Sequence, residues 1–185
     1  MFNIYKNKIR YYWLGMKVRR IDRQIKVVNF NKIKTAKIFS RINKAEDYNS
    51  LLEFLNLLNT KNIKFSVVCY SENKEELSGF IRSVDLFSKD FIFVSDQDIG
   101  FFGKKENDLA NYLAEFCDVF IDLCMEDSFA ADYIAGLINA GFKVGSFTRK
   151  SKFHDLFIDI KNNRDIKYLS QQIEHYLTMI KPAKT

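Results

Sequence analysis

The residues best placed for chemistry are carboxylates. Asp122, Glu126 and Asp127 follow one another closely at the end of the apolar run Asp118 to Cys124. Two carboxyl groups in unlike surroundings can be driven to different pKa values and divide acid and base work, and a cluster can hold a cation. Ser71 with Glu72, Asp96 with Asp98, Ser146 with Thr148, and Asp159 stand after other apolar runs. Acids are also the ordinary residues of solvated loops and of helix first turns, where they favour the macrodipole. Asp122, Glu126 and Asp127 are therefore weak candidates for a catalytic set, and the catalytic residues stay unknown.

Other chemistries find less support. His154 stands beside Asp155, but neighbours on an extended chain point to opposite faces, and no G-x-S-x-G elbow supplies a nucleophile. The expectation for His154 is a surface position, and for His175, in the last helix, a structural or solvent-facing one. Cys69, Cys117 and Cys124 lie in or beside apolar runs without C-x-x-C spacing, which predicts reduced core thiols. With two histidines and dispersed cysteines, no metal site is expected, and no cofactor. Neither G-x-x-x-x-G-K-[ST] nor G-x-G-x-x-G occurs, and Ser40, Arg41, Ile42 and Asn43 occupy the first strand-to-helix turn. Gly100 to Gly103, with Lys104 and Lys105, could offer backbone N–H groups to an anion, and reads more simply as a turn.

The elements that must carry these residues alternate. Strands are expected at Lys37–Ser40, Ile63–Tyr70, Phe91–Val94, Asp118–Cys124, Lys143–Phe147 and Leu156–Ile160. Helices are expected at about 47–61, 107–116, 129–140 and 164–180, the third ended by Gly141. Phe80 to Arg82 is a further apolar run that could be strand or loop. The alternation predicts an α/β, Rossmann-like three-layer domain over 35–181, with a mostly parallel sheet of about five strands, and a tail at 182–185. Ligands of such sheets bind in the crevice beyond the carboxyl ends of the strands.

Charge is unevenly spread. Residues 1–37 hold eleven Lys or Arg against the single acid Asp22, whereas residues 38–185 hold 18 basic and 22 acidic residues. Residues 1–34 thus read as a basic N-terminal arm. Within it Phe2, Tyr5, Ile9, Tyr12, Trp13 and Met16 recur at spacings of three and four, the signature of an amphipathic helix. Lys6, Lys8, Arg10, Lys17, Arg19, Arg20 and Arg23 are its candidate contacts to an anionic partner. Such a helix could bind RNA or a ribosomal surface, make peripheral membrane contact, dock on its own domain, or pair two copies into a homo-oligomer through the aromatic stripe. No signal-type apolar segment and no run of about 18 apolar residues occurs, so a cytoplasmic chain that does not span a membrane is expected.

Several segments carry a resemblance: Gly103-Lys104, Asp118 to Leu123, Phe142 to Gly145, Asp155 to Asp159 and Ile173 to Leu177. On these, and over nearly its whole length, the chain resembles a bacterial family of small proteins classed as a domain of unknown function. The resemblance implies a cytoplasmic protein of this size and no stated activity. The chain departs from the family's pattern at Lys105, where proline is expected, and around Cys117, where phenylalanine is. Asp118 to Gly145 is similar, at the level of fold alone, to the acceptor half of heptosyltransferase-type glycosyltransferases.

Two functional readings result. The first is a non-enzymatic binding protein whose arm contacts an anionic partner such as RNA or a ribosomal surface. The alternative is a small enzyme or ligand-binding domain using the carboxyl-edge crevice. Whether the chain is an enzyme stays open, with the balance against it.

Overall fold

The computed structural model describes residues 2–72, 90–99, 107–148, 151–161 and 163–181. In chain order these form α1 (Phe2–Val18), a 3-10 turn (Phe30–Lys32), β1 (Thr35–Arg41), α2 (Ala45–Thr60), β2 (Lys64–Tyr70), β3 (Phe91–Val94), the single turn α3 (Asp96–Ile99) and α4 (Asn107–Ala114). β4 (Cys117–Asp122), α5 (Phe129–Leu137), β5 (Ala140–Ser146), β6 (Leu156–Ile158) and α6 (Ile166–Met179) follow. The run Phe80 to Arg82 and the Gly100–Gly103 turn with Lys104 and Lys105 lie outside the described residues.

All six strands are parallel, in the order β3-β2-β1-β4-β5-β6. The expectation of about five strands is thus corrected to six. The shortest two, β3 and β6, are the edges, where a strand needs only one partner and gives the weakest pattern in sequence. Chain order reverses between β1 and β4.

Local rules explain the boundaries. α2 places Tyr48, Leu51, Leu55 and Leu58 on one buried face, and the Asp47 carboxylate accepts the N–H groups of Asn43 and Lys44 at its start. It ends where Asn62 turns left-handed at φ 56°. There Ile63 N–H reaches the Leu58 carbonyl and Asn62 N–H that of Asn59, a C-terminal motif that asparagine tolerates better than most residues. Ser128 and Asp165 cap α5 and α6 through Ala131 N–H and Lys167 N–H. Helix α5 stops at Leu137, three residues before its expected end. Ala140 and Gly141 belong instead to β5, where a Cβ on Gly141 would lie 3.1 Å from the Asp118 carbonyl oxygen.

Alternate strand residues feed two apolar clusters. Ile38, Val67, Val119, Ile121 and Val144 pack with Leu51, Leu55, Leu58, Leu169, Ile173 and Leu177 from α2 and α6. Phe39, Val68 and Phe120 pack with Leu14, Leu113, Tyr133 and Ile134 from α1, α4 and α5.

The N-terminal segment lies on this second cluster. Leu14 is fully buried, Tyr11 Oη donates to Asp132 Oδ2 at 3.0 Å, and the Arg10 guanidinium sits 3.9 Å from the Phe129 ring centroid. Val18 approaches α5 at Gly136, where a Cβ would come within 2.9 Å of Val18 Cγ2. The following residues then pass along the amino ends of the strands. Lys26 N–H donates to Gly141, Asn29 Nδ2 to the carbonyls of Thr178 and Ile180, and Lys34 and Thr35 N–H to the Asp118 carboxylate.

Candidate functional site

The carboxylates singled out in the sequence do not converge. Asp122, at the end of β4, has a fully buried side chain: Oδ2 lies 3.0 Å from His154 Nε2 and Oδ1 accepts Cys124 N–H at 2.9 Å. Glu126 turns outward to Arg41 Nη1 at 2.8 Å, whose Nη2 also meets Glu72 Oε1 at 2.9 Å. Asp127 is exposed. The remaining edge residues are engaged locally. Asp96 accepts from Tyr70 Oη, Asp98 from Ser95 N–H and Oγ–H, and Asp159 from Lys161 N–H. Ser146 Oγ pairs with Thr148 Oγ1, which donates to the Met125 carbonyl. The hydroxyl of Ser40, buried near the end of β1, has no hydrogen-bond partner.

His154 overturns its expectation of a surface position, being only 7% exposed. Its ring stacks on Phe120 at 6.4 Å and meets Phe157 edge-on at 5.5 Å. It lies over Gly145, where a Cβ would be 2.8 Å from Nε2, so the glycine makes room for the ring. The sequence argument considered only the neighbour Asp155. The partner that buries His154 is Asp122, 32 positions away and brought near by the β4–β5–β6 pairing. Asp155 serves Arg23 and Lys143 N–H instead. His175 is exposed beside Tyr176, and the three cysteines are free and buried.

Two charged side chains inside strands escaped the sequence reading. Lys37 Nζ donates to the carbonyls of Tyr112 and Glu115 at the end of α4, and Lys143 Nζ to that of Ala135 in the last turn of α5. An ammonium suits a helix C-terminus, whose carbonyls carry partial negative charge. Burial is the main force lowering the pKa of each. For Lys143, with Arg23 nearby adding repulsion, it falls to about 8. A lysine between apolar strand residues, as in Phe142-Lys143-Val144, was the available signal.

The arm's basic residues divide in two. Arg23 is committed to Asp155 and to the carbonyls of Ala140 and Gly141. Arg10 lies on the Phe129 ring and Lys17 on that of Trp13. Lys8, Arg19 and Arg20 are exposed, and the Lys6 side chain lies outside the described set. The apolar stripe divides likewise. Trp13 turns inward to stack on Tyr133, while Ile9 (52% exposed), Tyr12 (71%) and Met16 (39%) face outward. The face that docks runs through Arg10, Tyr11, Leu14 and Val18, because Asp132 and the Phe129 ring offer polar and cation–π partners that apolar periodicity does not register. The side chains of Phe2 and Tyr5 lie outside the described set.

Near the reversal between β1 and β4, a cavity of about 140 Å³ is bordered by Arg41, Lys44, Asp47, Glu126 and Arg164. Among the described residues no three His, Cys, Asp or Glu side chains gather as a metal site, and no helix is long and apolar enough to cross a membrane. No curated protein matches the sequence. A family model described as a family of unknown function (DUF6913) matches residues 6–180, and the chain belongs to that family.

Proposed function

We propose that this chain is a non-enzymatic binding protein of the cytoplasm that engages RNA, free or ribosomal, through the outward face of α1. The Rossmann-like three-layer body serves as its platform. The observation that carries this reading is the position of Tyr12, 71% exposed between Ile9 and Met16 on the same segment as the exposed Lys8, Arg19 and Arg20. An exposed aromatic ring gives a stacking surface for an unpaired base, and flanking cations meet the phosphates. Arg10, Lys17 and Arg23 support the surface from behind and are not counted as phosphate contacts.

Deleting the arm would remove Leu14 from the core and Arg23 from Asp155, confounding binding with folding, so substitution is the cleaner test. Fluorescence anisotropy with a labelled single-stranded RNA at two salt concentrations should show affinity falling with salt. The combined Lys8→Ala, Arg19→Ala and Arg20→Ala variant should flatten the logarithmic slope by about 2, for three lost phosphate contacts on a single strand. Tyr12→Ala should weaken binding by about 1–3 kcal/mol at every salt concentration. Salt-independent binding, or full binding by the triple variant, overturns the reading.

The cavity near Arg41 favours a second reading, a ligand-binding domain at the carboxyl edge. Its lining brings Arg41, Lys44 and Arg164 against two acids, which suits a small anion at the strand reversal. Asp122, Glu126 and Asp127 would supply no acid–base pair there, since they do not converge: Asp122 is buried against His154, Glu126 pairs with Arg41 and Asp127 is exposed. An Arg164→Ala variant that left RNA binding intact but abolished a small-anion titration would favour it.

A further inference from the structure

At the amino ends of the strands lies an open cavity of about 260 Å³, bordered by Lys37, Lys64, Phe65, Asp90, Glu115 and Phe116. A second, of about 500 Å³, shares Lys64, Phe65 and Asp90 with it. Phe116, between α4 and β4, is 51% exposed. Two other exposed rings of the body, Phe147 and Tyr176, lean on Phe157 and His175. The Phe116 ring meets no other among the described residues. An aromatic face left open at the border of a cavity is a surface on which a base can stack.

Cations surround that ring. Phe116 Cζ and Lys26 Cβ lie 3.5 and 3.6 Å from the position that a Cβ on Gly141 would take, so the two residues are neighbours. Lys64 stands on the cavity's border, and its N–H donates to the Lys34 carbonyl, which brings Lys34 beside it. Lys26, Lys34 and Lys64 are exposed and in no ion pair among the described residues. Of the nearby acids, Glu115 lies 3.6 Å from Lys37 Nζ, and Asp118 accepts the N–H groups of Lys34 and Thr35. Asp90 is left against three lysines. The arm leads to this place. Arg23 reaches the carbonyls of Ala140 and Gly141, and Lys26 N–H donates to Gly141. Arg20 and Lys26, six residues apart, are separated by about 20 Å at most. We propose that this amino-edge cavity is a second base-binding site for the single-stranded RNA held by α1. Phe116 stacks the base, and Lys26, Lys34 and Lys64 meet phosphates. The site rests on the RNA reading and extends it, because the strand leaves Tyr12, passes Arg19 and Arg20 and ends at Phe116. Cations and stacking rings along one path are how single strands are held without reading their sequence.

The experiment is fluorescence anisotropy of the full chain with a labelled single-stranded RNA of about 16 nucleotides. Phe116→Leu keeps apolar bulk and removes the aromatic face, so it should weaken binding about 5- to 150-fold. Phe116→Tyr, which keeps that face, should bind like the unaltered chain. The combined Lys26→Ala, Lys34→Ala and Lys64→Ala variant, all at exposed positions, should flatten the logarithmic salt slope by about 2. Adenosine monophosphate, which fills one site without the linkage to the other, should bind at least about 100-fold more weakly than the oligonucleotide. Three results overturn the second site: unchanged affinity in Phe116→Leu, an unchanged slope in the triple lysine variant, or mononucleotide binding as tight as that of the oligonucleotide. Measured with the same RNA, the α1 variants separate this failure from that of the RNA reading. Losses in the α1 variants alone retain the α1 surface and strike only this cavity, whereas no binding by the unaltered chain strikes both.

Discussion

The two clusters flanking the sheet are built on different terms. The one under α2 and α6 is held by aliphatic contact, with Ile38, Val67, Ile121 and Val144 meeting leucines and isoleucines. The one under α1, α4 and α5 mixes aromatic and aliphatic side chains and lies beside Lys37, Lys143, Asp122 and His154, all buried. Burying apolar area stabilises in proportion to area and asks little of geometry. A buried charge asks for a partner at a definite atom, and its removal leaves the other member stranded. The first region should therefore respond to lost volume, and the second to lost partners and to pH.

The largest effect is expected in the aliphatic region. Leu55 is fully buried in α2, and Leu55→Ala should lower unfolding free energy by about 2–5 kcal/mol, measured by urea denaturation, with no change in its pH dependence. A loss below about 1 kcal/mol would mean that this cluster is loosely packed, and the contrast would fail.

On the other side, Asp122→Ala removes the acceptor for His154 and for Cys124 N–H, and should cost about 3 kcal/mol. Gly145→Ala tests the same pair without touching either member. Its Cβ would enter the space of the imidazole, 2.8 Å from Nε2, and overpacking of this kind costs about 1–3 kcal/mol. The two substitutions share one target, so the double variant should cost clearly less than the sum. Full additivity would show that Gly145 does not act through the ring.

Lys143 gives the region its pH signature. Its pKa falls from an ordinary 10.5 to about 8 on folding, so above pH 8 the unfolded chain binds more protons and stability rises with pH. Between pH 8 and 9 that rise is about 1 kcal/mol. Cys117 and Tyr133 work in the opposite sense. Burial pushes each up to about 12, and the stability they contribute is lost only as pH climbs beyond the ordinary values of 9 and 10. Across pH 8 to 9 the thiols of Cys69 and Cys117, also raised by burial, begin to offset this rise, and Lys37, whose pKa burial lowers, adds to it. Melting temperatures of Lys143→Met should therefore rise less, or fall more, across this interval than those of the unaltered chain.

The contrast also separates what the sequence disclosed from what it did not. Alternation of apolar runs placed β1, β2, β4, α2 and α6 to within a few residues, since each follows a regular period against a continuous aliphatic bed. The boundary between α5 and β5 was misread because Gly141, a plausible helix stop, is needed in the strand for its close approach to Asp118. The Asp122–His154 pair was invisible, because nothing local links residues 32 positions apart. The docking face of α1 was missed by one residue's rotation, because Arg10 and Tyr11 bind through charge and hydroxyl while Tyr12 and Ile9 look the better apolar residues.

That rotation yields the smallest predicted effect. Tyr11 Oη donates to Asp132, a contact between a helix and the body it covers. Tyr11→Phe keeps the ring against Phe129 at 5.3 Å and deletes only the hydroxyl, so global stability should fall by no more than about 1 kcal/mol. Local opening is more sensitive, because α1 is fastened chiefly through one face. Trypsin should reach the exposed Arg19 and Arg20 several-fold faster in Tyr11→Phe, while Tyr12→Phe, on the outward face, should cut at the original rate. Equal cleavage in both variants would mean that Leu14 and the cation–π contact of Arg10 hold the helix without the hydroxyl, placing α1 with the aliphatic region's mode of packing. Selective loosening by Tyr11→Phe would place it with the region that depends on individual polar partners.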